Sequence, residues 1–119
     1  GEIRVYVARH CKGDPLKTAA KKFTQLKMDN TALKNGVLIY LSPSDHKAAI
    51  YADSGINEVV DDSDFWKDAL EMMISYFKNE LVLDGICKGV EKAGELIKEY
   101  YPVSDNDINE LDNEVILEE

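Results

Sequence analysis

Basic residues, cysteines and long apolar runs are all scarce in this chain, and each scarcity removes a class of function. Fourteen Lys and Arg stand against 23 Asp and Glu, giving a net charge of −9. Only Arg4 and Arg9 carry guanidinium groups, too few for the clustered basic surface that phosphate backbones require, so no nucleic-acid partner is expected. Two cysteines, Cys11 and Cys87, sit in no CxxC spacing and support neither a disulfide framework nor a zinc ribbon. Free thiols in a reducing compartment are the expectation. No apolar run approaches the roughly 20 residues that span a bilayer, so no membrane span is expected. The opening "GEIRVYVARH" interrupts its apolar run with charge and has no small-residue cleavage pattern, unlike a signal peptide. A cytoplasmic location follows as the expectation; a leader upstream of Gly1 would change it to export.

What is present fits one domain, because 119 residues leave too little chain for a second core. Residues 103–119 hold seven acids and no Lys or Arg, while the rest of the chain is close to neutral. The reading is therefore a body over residues 1–102 and an acidic C-terminal tail over 103–119, disordered or loosely attached, in which only "EVIL" could dock. The tail stretch "DNDINELDNEVI" is not an EF-hand loop: Glu110 stands where glycine is needed and Ile116 where the closing glutamate is needed.

Within the body, Ile3, Val5 and Val7 alternate with Arg4 and Tyr6, the period of a strand. Asp14 and Pro15 are an N-cap and first-turn pair, and Leu16, Ala19, Ala20, Phe23 and Leu26 follow on one helical face. "GVLIYLS" is apolar almost throughout, as in a central strand covered on both faces, and "AAIYA" returns after a turn too short for a parallel crossover. A second helix, capped by Ser63, carries Trp66, Ala69, Leu70, Met73 and Phe77. A third, capped by Asp84, carries Ile86, Val90, Ala93 and Ile97 and ends at Pro102. The expected strands cover residues 2–8, 36–42 and 47–52, and the helices 15–28, 63–79 and 85–100. The fold class is an α/β/α sandwich with a small mixed sheet: strands one and two parallel through a right-handed crossover, strands two and three an antiparallel hairpin.

The residues that could carry chemistry are few. Asp53, Glu58, Asp61 and Asp62 cluster at the end of the third strand, and converging carboxylates suit a hard cation such as Ca²⁺ or Mg²⁺. The competing reading is structural: Asp53-Ser54-Gly55 makes a turn, and Asp61 and Asp62 sit where a helix N-terminus favours negative charge. Arg9-His10-Cys11 resembles the Arg-His-Gly signature of histidine phosphatases, but Cys11 replaces the glycine and too few other Arg and His residues exist to build the phosphate pocket. His10, Cys11, His46 and Cys87 suffice in number for zinc, without ligand-pair spacing.

The order "GEIRVYV", a capped helix, "NGVLIYLSPSDHKAAIYADSGINEVV", a Trp-containing helix and "DGICKGVEKAGELIKEYYP" resembles the TPM domain family over residues 1–102. The resemblance implies an α/β/α sandwich, and the family includes a thylakoid lumen protein described as an acid phosphatase. This sequence departs from the family pattern in two places, with Lys34 where members of the secreted and lumenal branch often have an acid before Asn-Gly and Asp53 where a glycine is frequent. The functional expectation is a binding or accessory module for a protein partner not identifiable from sequence, with at most a weak divalent-cation site. The alternative is a metal-assisted acid phosphatase of low activity, in which Asp53, Asp61 and Asp62 hold the ion. The sequence assigns no catalytic residue.

Overall fold

The computed structural model describes residues 2–28, 36–54, 66–100 and 112–117. In chain order these form β1 (Glu2–Val7), α1 (Pro15–Gln25), β2 (Gly36–Ser42), a 3-10 turn (Pro43–Asp45), β3 (Lys47–Ala52), α2 (Lys67–Lys78), α3 (Val82–Tyr100) and β4 (Asp112–Leu117). The sheet order is β3-β2-β1-β4. β1 pairs parallel with both β2 and β4, and β2 pairs antiparallel with β3.

Every residue of β2 is buried, as its unbroken apolar run requires of a strand with helices on both faces. Alternation sorts the side chains into two cores. Ile3, Val5, Val37, Ile39, Leu41 and Ile50 face α2 and α3, meeting Ala69, Met73, Phe77 and Ala93. Tyr6, Leu38, Tyr40 and Ala49 face α1, meeting Ala19 and Phe23. The three-layer sandwich, the parallel β1–β2 pair and the β2–β3 hairpin thus stand as the sequence implies.

α1 begins as expected, with the Asp14 carboxylate accepting from the Leu16 amide at 3.0 Å and Pro15 in the first turn. Its Leu16 is not core but half exposed. α2 and α3 form a hairpin closed by Glu80 in the left-handed region (φ 62°), where the Leu81 amide reaches back to the Tyr76 carbonyl at 2.9 Å. That closure lets α3 start at Val82, so Asp84 lies within its first turn and is not its cap. Ser63, expected to cap α2, lies outside the described residues.

The expectation of a loose tail is corrected over residues 112–117, the stretch that holds the "EVIL" read from sequence as able to dock. Residues 112–117 do not hang loose as part of an unstructured tail: they form β4, in register with β1 from Glu2↔Asp112 to Val7↔Leu117. Ile116 packs half-buried against the α1-side core beside Tyr6. β1 needed a second neighbour for its outer backbone groups, and the acidic composition of the segment did not prevent "DNEVIL" from supplying one. Residues 101–111 and 118–119 of the tail lie outside the described residues.

Candidate functional site

Asp53 sits where β3 leaves the sheet, opposite the first residue of β2. Its amide donates to the Gly36 carbonyl at 2.9 Å, which extends the β2–β3 ladder by one pair. Gly36 is small for a reason: a Cβ there would lie 3.3 Å from the Met28 carbonyl oxygen and 3.4 Å from the Phe23 ring. The close approach of Phe23 and Met28 therefore favours glycine at the position opposite Asp53.

The two oxygens of Asp53 are in different states. Oδ1 accepts from the Ser54 amide at 2.7 Å, the short-range turn contact that the sequence suggested. Oδ2 is buried and accepts no hydrogen bond among the described residues. A buried carboxylate oxygen without a partner carries a desolvation cost that a bound cation would relieve. Glu58, Asp61 and Asp62 lie outside the described residues, so the structure places only Asp53 of the four candidates. Among the described residues no group of three or more His, Cys, Asp or Glu side chains is placed to hold a metal. His10, Cys11, His46 and Cys87 accordingly do not form a zinc set; Cys11 is buried, Cys87 is exposed, and both are free.

A second polar junction, which the sequence showed only as a turn, closes the other end of the sheet. There the loop after β1 is tied to the 3-10 turn after β2. The Cys11 amide donates to Asp45 Oδ2 at 2.7 Å, Ser42 Oγ donates to the same oxygen at 3.4 Å, and His10 Nδ1 lies 3.7 Å from Asp45 Oδ1. Lys47 Nζ donates to the Cys11 carbonyl at 2.8 Å and the Gly13 carbonyl at 3.2 Å. The amide of Cys11 foremost, opposed by partial burial and aided by His10, holds the Asp45 carboxyl below the usual aspartate range. Every group here has a structural task, and β2's length, roughly 20 Å, separates the junction from Asp53.

A third feature is a groove of about 440 Å³ on the outer edge of β3. Ala48, Ala49 and Ile50 make its floor, Pro15 and Leu16 one wall, and Trp66, Leu70 and Ile74 the other. The half-exposed Leu16, read from sequence as core, belongs to this wall.

The fold defines a class: a small α/β/α sandwich on a mixed sheet with three strands parallel and an antiparallel edge. Within that class, the chain belongs to the TPM domain family, whose profile matches residues 1–96. Among solved structures it is similar to the BA42 protein of the psychrophilic bacterium Bizionia argentinensis, determined by NMR. The two share 41% identity, with a TM-score of 0.83 over 99% of this chain and 81% of that one. No curated protein matches the chain. Among the described residues, no helix is long and apolar enough to cross a membrane.

Proposed function

We propose that this TPM domain is a noncatalytic binding or accessory module with a weak divalent-cation site at the exit of β3. The observation that carries the reading is the buried Oδ2 of Asp53, which has no hydrogen-bond partner among the described residues. One inner carboxylate oxygen is a start on the six to eight oxygens that Ca²⁺ takes, and Glu58, Asp61 and Asp62 follow within ten positions to supply others. The geometry around Asp53 supports binding more than catalysis. Both histidines lie beyond the far end of β2, at His10 and His46, so neither is within reach to act as base or nucleophile toward an ion at Asp53.

The test is a Ca²⁺ and Mg²⁺ titration followed at backbone amides, run beside a phosphate-ester hydrolysis assay. Shifts centred on Asp53, Ser54 and Gly36 without hydrolysis are the expected result. Hydrolysis that depends on the ion and disappears in Asp53→Asn would replace the module with a metal-assisted phosphatase. An absence of shifts at these amides would remove the site altogether.

A further inference from the structure

The hydrogen-bond ladder shows which backbone groups of β3 are left over. Asp53 donates to Gly36, so Asp53 and Gly36 are a hydrogen-bonded pair, and in an antiparallel ladder such pairs alternate. Tyr51, Ala49 and Lys47 therefore bond inward to β2. Ala48, Ile50 and Ala52 turn their N–H and C=O groups outward, and of these Ala52 already has a partner. A bond on the other side of β2 confirms the phase: the Leu41 carbonyl, opposite Ala48, accepts from Ala8 beyond β1 at 2.7 Å, so it faces away from β3.

Among the described residues, β3 is an edge strand without the usual protection. Its sequence "KAAIYA" has one charge, at its first residue, and neither proline nor an inward-pointing charge. Among the described residues nothing bonds to the outward groups of Ala48 and Ile50. These residues form the floor of the 440 Å³ groove, whose walls come from opposite faces of the sheet, α1 on one side and α2 on the other. A groove bounded in that way follows the sheet edge itself. Its chemistry is that of a missing strand: alternating donors and acceptors along the floor, Pro15 and Leu16 above, Leu70 and Ile74 below.

We infer that the groove takes an extended segment of a partner protein as a fifth strand beside β3, apolar at successive positions and basic at its flanks. The backbone donors and acceptors of Ala48 and Ile50 specify an extended peptide, and apolar walls on both sides specify apolar side chains pointing both ways. Charge specifies the flanks. The groove is lined by two carboxylates, Asp14 and Glu71, against one ammonium, Lys67. A single strand suits the site better than a second copy of this chain, whose own helix walls would meet α1 and α2 across the recessed edge. The inference rests on the reading of the protein as a binding module but uses a different surface from Asp53, so the two fail separately.

The test uses the whole chain, isotopically labelled, with a short synthetic valine-rich peptide carrying lysines at both ends. A companion peptide is N-methylated on alternate backbone nitrogens, which removes the donors of one edge and keeps the side chains. Binding should slow solvent exchange at the Ala48 and Ile50 amides at least tenfold, leave the already paired Ala49 amide unchanged, and weaken at least tenfold with the methylated peptide or with Ala48→Pro. Proline there removes only an outward N–H, a placement edge strands tolerate; should that variant not fold, Leu16→Glu, on the exposed wall, serves the same purpose. Binding should also weaken between about 0.05 and 0.5 M salt, and persist when Ca²⁺ is chelated. Failure of the peptide to bind, equal binding of the methylated peptide, or protection elsewhere than at Ala48 and Ile50 overturns the inference. So does sedimentation showing a dimer that itself protects these two amides, since the occupant would then be a second copy.

Discussion

Two glycines of α3 look alike in sequence and have opposite consequences. A Cβ at Gly89 would overlap Met73 Sδ and lie 2.6 Å from Met73 Cγ, whereas one at Gly94 meets nothing within 4 Å. Alanine gains up to about 1 kcal/mol of helix propensity at either position. At Gly89 this is outweighed, because Met73 is fully buried and overpacking a filled core costs about 1–3 kcal/mol. Urea denaturation should show Gly89→Ala destabilised by about 1 kcal/mol and Gly94→Ala stabilised by about 0.5–1 kcal/mol. Equal effects would mean that α3 does not close on α2 through Gly89. Asp45 gives the residue-scale pH dependence. Its folded pKa lies below the unfolded value, so its contribution is present above the ordinary aspartate value of about 3.9 and is lost as pH falls through the lower folded value. Asp45→Asn should therefore flatten the acid limb of a stability-against-pH curve, and an unchanged limb would show that the Cys11 and His10 contacts do not hold in solution.

At the scale of elements, β4 makes the sharpest prediction. It covers the edge of β1 over six paired residues, and Ile116 is its one described contact with the α1-side core. Truncating a half-buried isoleucine should cost less than the 2–5 kcal/mol of a fully buried one, about 1–2 kcal/mol for Ile116→Ala in denaturant titration. Deleting residues 112–119 should go further, speeding exchange at the β1 amides that β4 covers. Stability unchanged in both variants would restore the loose tail read from sequence. That misreading has a physical cause. β2 and β3 announce themselves locally, one by an unbroken apolar run and the other by a hairpin-length turn, and their bounds match the structure residue for residue. β4 is made by a vacancy on β1 some hundred positions earlier; the apolar "EVIL" marks a stretch able to dock, but nothing local in "DNEVIL" names β1 as its neighbour. Leu16 fails for a related reason: its helical spacing is that of a core residue, but α1 overhangs the sheet edge at that end. Of the candidate site, Asp53 was legible because it follows a strand and begins a turn; the position of β3 at the sheet edge was not, because edges depend on sheet order.

For the whole molecule, the question is whether a net charge of −9 can imitate a cation site. A diffuse field of carboxylates gathers counter-ions wherever the potential is low and releases them as salt screens it, with a Debye length of about 8 Å at about 0.15 M. A coordinated ion is held by direct oxygen contact and outlasts that screening. Deleting the acidic tail would be a poor control, because β4 lies within it. Neutralising Asp105, Asp107, Glu110, Glu118 and Glu119 to their amides removes the charge and leaves the strand sequence intact. In that variant at about 0.15 M salt, Ca²⁺ should still shift the Asp53 and Ser54 amides, with a dissociation constant on the order of 10⁻³ M, as for a site of few rigid ligands. Adding Asp53→Asn should abolish those shifts, because the amide cannot present the anionic oxygen that Oδ2 supplies. If the shifts vanish on neutralising the tail alone, the attraction is a property of the molecule's charge and Asp53 serves only its turn.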